Sequence, residues 1–244
     1  MEPALSSFID LYMKLGNVIQ DKYPDNYQRF SKFRSAIAFK MQLLEMIILR
    51  YEKSKKLYDA WMQEAQEKLK LYSTSADPEI LREADAFSRR GDFARRSIIL
   101  DIESFLVFSR VMRDNIPWMF QPFFRGIHTI NEPRTTDFRL FCDWFEENQE
   151  DVLDKEFLEF ILEFRNWFYV NLRNPRNELV IHLERHYTLD SFSSDGKIMR
   201  MKYSIESGPR DTPESKFQLE SPPILYEKLL KFHRALEKLF LEKM

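Results

Sequence analysis

Glycine is nearly missing from this chain, with five in 244 residues. Turn-dense, sheet-rich folds need residues that reach positive φ without strain, so this scarcity points away from them. It also leaves no glycine-rich loop to cradle a phosphate. Neither a P-loop nor a dinucleotide-binding fingerprint is present. Cysteine is scarcer still. The single Cys142 forbids an intrachain disulfide and fits a reducing cytoplasm, the location expected here. With no basic residue beside it in sequence, Cys142 reads as a small apolar core residue rather than a reactive thiol. Neither sign of charge dominates. The 37 basic and 39 acidic residues leave a net charge of −2, so any nucleic-acid site must be local rather than a global basic footprint. No run approaches the roughly 20 apolar residues of a membrane span, and no basic stretch precedes an apolar run at the start. No membrane contact is expected.

What is present is helical rhythm. With 44% apolar and 31% charged residues, the chain has the composition of a soluble globular protein. Apolar residues recur at three- and four-residue steps in residues 4–20 and again from about Tyr27 to Tyr72, through Phe30, Phe33, Ile37, Met41, Leu44, Ile48 and Tyr51. Asp77-Pro78 reads as a cap for the next helix. A third strong pattern, from about Asp92 to Phe120, carries Ile98, Ile102, Phe105, Met112, Ile116 and Met119, with Ser109 as a small slot in the row. Glu103, Arg110 and Asp114 line up on another face of that helix, as a salt-bridge series or as charged support for a site elsewhere. A short helix is expected near Asp137–Asn148, beyond a loop over Gly126–Thr136. An aromatic helix over 154–172 comes after it. Its Phe157, Phe160, Ile161, Phe164, Trp167, Phe168 and Tyr169 read as core, because the acids between Asp143 and Glu163 would repel a phosphate backbone.

After His182 the period changes to two. Tyr187 and Leu189, then Met199, Met201, Tyr203 and Ile205, alternate with polar residues, and Asp195-Gly196 is a type I′ turn signal. Gly208–Pro213 is the most loop-like stretch, and Pro222-Pro223 opens a last helix to about Leu241. The expected fold is therefore mainly α: a helical bundle with one C-terminal β-hairpin, about 186–206, before the last helix. Residues 1–75 read as an N-terminal helical extension and 76–244 as the bundle proper.

The densest chemistry lies in Arg173-Asn174-Pro175-Arg176-Asn177-Glu178-Leu179-Val180-Ile181-His182. Asn174 before Pro175 reads as an N-cap with proline at the first helical position. Arg173 and Arg176 beside a fresh helix start, whose dipole disfavours cations, suggest a place built to receive an anion. Arg176, the polar Asn177 and then His182 resemble the Arg-polar-x(3–5)-His motif of the HEPN superfamily, over roughly Ser97 to Leu183. The segment Asp101-Ile102-Glu103-Ser104-Phe105 is similar to the long helix that partners the motif helix in such proteins. That resemblance implies a small helical domain that often dimerises. Many such proteins are metal-independent endoribonucleases of defence or toxin–antitoxin systems, and others are inactive binding modules. RNA, a second copy of the chain and an antitoxin-like protein are the partners it implies.

In such an enzyme His182 would carry protons between the 2′-hydroxyl and the leaving oxygen, and Arg176 would hold the scissile phosphate with its planar fork. Glu178, one turn before His182, would orient the imidazole, with Asn177, Arg173 and Glu103 in support. On an ideal helix, however, Arg176 and His182 stand about 9 Å apart along the axis and roughly 120° apart around it. Convergence calls for the arginine's reach or a two-fold dimer, and a homodimer is expected. The bland alternative is that Arg176 caps a neighbouring helix and His182 is a satisfied helix-end histidine. His182 and His186 also have the i,i+4 spacing of a metal pair, with Glu184 between them. His186 reads as the start of a strand, and no His-Glu-x-x-His or cysteine cluster occurs, so neither metal nor cofactor is expected. His128 and His233 stand alone and read as surface or interface residues.

Overall fold

The three longest described helices each begin on a proline: α2 (Pro24–Ser75), α3 (Pro78–Asp114) and α8 (Pro222–Lys243). The first N–H of a helix has no partner within it, and proline's fixed φ already suits the turn. A computed structural model describes residues 13–120, 138–147, 155–177, 186–192, 200–206, 216–218 and 220–243. Helix α1 is described over 13–22. Between the long helices lie α4 (Ile116–Phe120), α5 (Phe138–Glu147) and α6 (Lys155–Phe168), the last running into a π-helical turn (Tyr169–Arg173) and α7 (Asn174–Arg176). The fold is mainly α, as the composition leads one to expect.

The link between α2 and α3 shows how local chemistry sets the path. Ala76, at φ 54°, takes the left-handed conformation that ends a helix, and its N–H donates to Tyr72 O at 2.8 Å. Asp77 then caps α3, its Oδ1 accepting the Glu79 N–H at 2.9 Å. Asp77→Ala is expected to cost about 1 kcal/mol by leaving that donor uncapped. Ala76→Gly is expected to raise stability, because removing a left-handed Cβ, worth roughly 1–2 kcal/mol, exceeds glycine's added entropy cost. Thermal melts of the two variants, shifting in opposite directions, check both; melts shifted the same way would contradict this reading of the turn.

Two helix boundaries differ from the sequence pattern. Helix α3 begins at Pro78 rather than near Asp92 and passes straight through Gly91, where a Cβ would meet Met62 Sδ at 2.7 Å. Glycine here serves close helix approach rather than a turn. At the other end α3 stops at Asp114 instead of continuing to Phe120. Pro117 lacks an N–H, its ring would clash with the Arg113 carbonyl, and it restricts Ile116. Asn115 makes the corner, its N–H donating to Met112 O at 3.1 Å and its side-chain Nδ2 to Val111 O at 2.8 Å.

Packing divides the chain into two units. The first comprises Met1–Leu44, Val107–Asn174 and Pro223–Met244, and the second Glu45–Leu106 and Pro175–Pro222. In the first unit Phe30, Ile37, Met112, Phe138, Phe164, Phe168 and Leu229 are among the buried residues. Cys142 is buried there, the core residue anticipated from sequence. Phe33 stacks on Trp118 at 5.6 Å, and the Arg29 guanidinium lies 5.0 Å from the Trp118 ring. Among the described aromatic residues of α6, Phe164 and Phe168 are buried, and Phe160 stacks on Phe232 of α8.

In the second unit the later half of α2 runs antiparallel to α3. Arg50 pairs with Asp101 and Lys68 with Glu83. Each pair is eighteen residues from the other along its helix, about 27 Å, so the register holds throughout. Tyr51, Tyr58, Ile98, Ile102 and Phe105 fill the seam. The unit also holds backbone strands β1 (His186–Phe192), β2 (Arg200–Glu206) and β3 (Lys216–Gln218), paired antiparallel in the order β1-β2-β3, with Leu189 opposite Tyr203 and Ile205 opposite Phe217. The expected Asp195-Gly196 turn and the Gly126–Thr136 and Gly208–Pro213 loops lie outside the described residues.

Candidate functional site: the Arg176 segment and the buried polar groups

The motif segment is built differently from its sequence reading. Asn174 does not cap a new helix. Its φ of −62° and ψ of −50° are helical, and its N–H donates to Tyr169 O, closing a π-helical turn that continues α6. Proline explains the widened turn. In a regular α-helix Pro175 would leave the Asn171 carbonyl without a donor and crowd it, and one extra residue in the turn relieves both. Chain continuity removes the free amides at a helix start on which the anion argument rested. Asn171 turns back to the same helix, its Nδ2 donating to Trp167 O at 2.8 Å.

The chain brings some of the named side chains together. Arg176 is buried, and both its Nε, at 3.2 Å, and its Nη2 donate to Asn177 Oδ1. The arginine and the polar residue of the motif are thus joined to each other. Burying a guanidinium is costly unless its donors are engaged, and an adjacent amide oxygen engages two. Arg173 lies over the Tyr169 ring at 4.6 Å, a helical i,i+4 stack. Glu103 is half-buried and its carboxyl is pushed above the ordinary range by burial. Of the three charges aligned on α3, Arg110 and Asp114 pair at 3.4 Å, while no described ion pair includes Glu103. Glu178 and His182 lie outside the described residues.

Four further polar groupings are wholly or partly buried, and composition did not reveal them. Arg113 is almost wholly enclosed, its guanidinium 4.2 Å from the Phe168 ring and 5.6 Å from Phe138, with Nη2 2.7 Å from Asp114 Oδ1. Asp101 is fully buried against a half-exposed Arg50. Burial raises its pKa, and Arg50 offsets part of the rise. Near Tyr58, Asp59 and Arg95 form a second polar patch on the same hairpin. Burial is the main cause of the raised Tyr58 and Asp59 pKa values, with Arg95 partly opposing at Tyr58. Finally His233 and Glu237, one turn apart on α8, are both fully buried. This corrects the surface reading of His233. The available signal was its place between Leu229 and Leu236 on the apolar face. Burial lowers the His233 pKa from 6.5 to about 3.

Between α5 and α6, Arg165 Nη1 bridges Asp143 at 2.8 Å and Glu146 at 2.9 Å, so part of the acidic run is a helix–helix clasp. Among the described residues there is no group of three His, Cys, Asp or Glu able to hold a metal ion, and no helix is long and apolar enough to cross a membrane. No protein-family model, curated protein or solved structure matches the chain.

Proposed function

We propose that this chain is a non-catalytic helical interaction protein, HEPN-like in its bundle and carrying one β-hairpin before the last helix. Residues 1–75 act in it as a helical extension of the 76–244 bundle, and it works as a homodimer or with an antitoxin-like protein. The observation that carries this reading is Arg176: a buried guanidinium clipped to Asn177 is poorly placed to meet an RNA phosphate. The π turn supports it further, since the backbone amides that would greet an anion are spent within the helix. Cytoplasmic location and freedom from metals and cofactors belong to the same proposal.

A second reading, a metal-independent endoribonuclease using Arg176 and His182, is favoured by one observation. The motif's arginine and its polar neighbour do meet, as they would in a preorganised phosphate clamp. One paired experiment separates the two. RNA cleavage in a chelator and melting temperature are measured for wild type, Arg176→Ala and His182→Ala. The interaction reading expects no cleavage by wild type and a lower melting temperature for Arg176→Ala, because it deletes a buried, hydrogen-bonded group. Chelator-resistant cleavage that leaves 2′,3′-cyclic ends and vanishes in His182→Ala would overturn it.

A further inference from the structure

Helix α3 has two apolar faces. One is the buried seam of Ile98, Ile102 and Phe105. Opposite it stand Phe93, Leu100 and Val107, one every seven residues, with Phe93 71% and Leu100 55% exposed. Single exposed apolar residues are ordinary on any protein, but three at seven-residue steps on one helix align as a narrow apolar seam. Such a seam calls for a partner helix, and its flanking residues indicate which one.

About Leu100, Arg96 stands four residues before and Glu103 three after, both on the same flank at −40° and −60° by the helical turn of about 100° per residue. Ser97 and Ser104 occupy the other flank, three before and four after. When two copies of this helix cross antiparallel with Leu100 at the two-fold axis, like flanks meet. Phe93 then lies against the partner's Val107, and Arg96 falls within about one residue's rise, ~1.5 Å, of the partner's Glu103. The symmetry repeats both contacts. The serine flank places two small side chains together and lets the helices approach. Within its own helix Glu103 has no basic residue three or four positions away, and no described ion pair includes it. Arg96 is exposed.

We propose that the outer face of α3 is a self-association surface, with a second copy of the chain packed antiparallel about Leu100 and held in register by two reciprocal Arg96–Glu103 ion pairs. The inference rests on the interaction-module reading above and names its partner. It stands apart from the RNA test because mass, not cleavage, reports it. The seam from Phe93 to Val107 is about 21 Å long, so the contact is small and the dimer is expected to be a weak one.

The test is sedimentation equilibrium on the full chain from about 1 to about 100 µM, with circular dichroism confirming helix content for every variant. Wild type is expected to dimerise across this range. Leu100→Asp, at an exposed site, is expected to weaken dimerisation at least about tenfold. Arg96→Glu and Glu103→Arg are each expected to weaken it roughly tenfold by setting like charges opposite. The double variant Arg96→Glu/Glu103→Arg is expected to restore it, which a merely structural role for either residue would not do. A wild type that stays monomeric at about 100 µM overturns the proposal. So does a dimer indifferent to Leu100→Asp, or a double variant no tighter than the single ones. If Leu100→Asp loses helix content, the charge-swap set decides alone.

Discussion

Acidifying the protein from about pH 7 to about pH 4 is expected to cost roughly 3 kcal/mol of folding stability through one side chain, His233. The imidazole is fully buried on α8, and burial lowers its pKa from 6.5 to about 3. Between those values the unfolded chain holds a proton that the folded chain refuses. Stability is therefore complete above the unfolded pKa and falls, by up to about 1.4 kcal/mol per pH unit, as pH drops towards the folded one. Three carboxyls act in the opposite sense. Asp59, Asp101 and Glu103 all have raised pKa values, with burial the leading cause. Each relieves a penalty as pH falls through its folded value. The measurement must therefore be a difference: urea unfolding of wild type and His233→Gln at several pH values. The variant is expected to have a shallower acid slope, with the gap closing on acidification. If instead His233 were held charged by Glu237, the wild type would gain on the variant as pH fell, and the prediction would fail.

The second large effect is expected at Phe168, which loses about 3–5 kcal/mol on truncation to alanine. The ring is buried, packs against Phe138 at 6.4 Å and Phe164 at 6.0 Å, and covers the guanidinium of Arg113 at 4.2 Å. Its removal opens a cavity and also strips one aromatic face from a buried cation, worth about a further 0.5–2 kcal/mol. Phe168→Leu keeps most of the apolar volume but not the ring, so comparing the two variants separates the terms. Chemical denaturation of both checks this. A loss below about 1 kcal/mol for the alanine variant would mean that the Arg113 stack is not a support of the first unit.

Much of the helical architecture was legible because its causes are local. The buried row Ile98, Ile102, Phe105, Ser109 and Met112 follows three- and four-residue spacing within α3. The cap at Asp77 arises from its side-chain oxygen and the proline after it. Proline's restrictions also acted at Pro117, where the apolar pattern overran a break that a pyrrolidine ring imposes. Asn174-Pro175 was harder to read. The same dipeptide suits a helix start or a π turn within a continuing helix, and the choice depends on whether α6 has a buried face to extend, as Leu172 and Pro175 show it does.

By itself the sequence determined the mainly helical class and the core stripes, since composition and period act through neighbours along the chain. Only the tertiary structure decided which polar groups are enclosed: Arg113 between two phenylalanines, Asp101 against Arg50, His233 in α8 and Arg176 on Asn177. The physical reason is that a polar side chain's burial depends on which helix face meets which, and its pKa on what then excludes water. Both are settled between residues far apart in the chain, where no local pattern reaches.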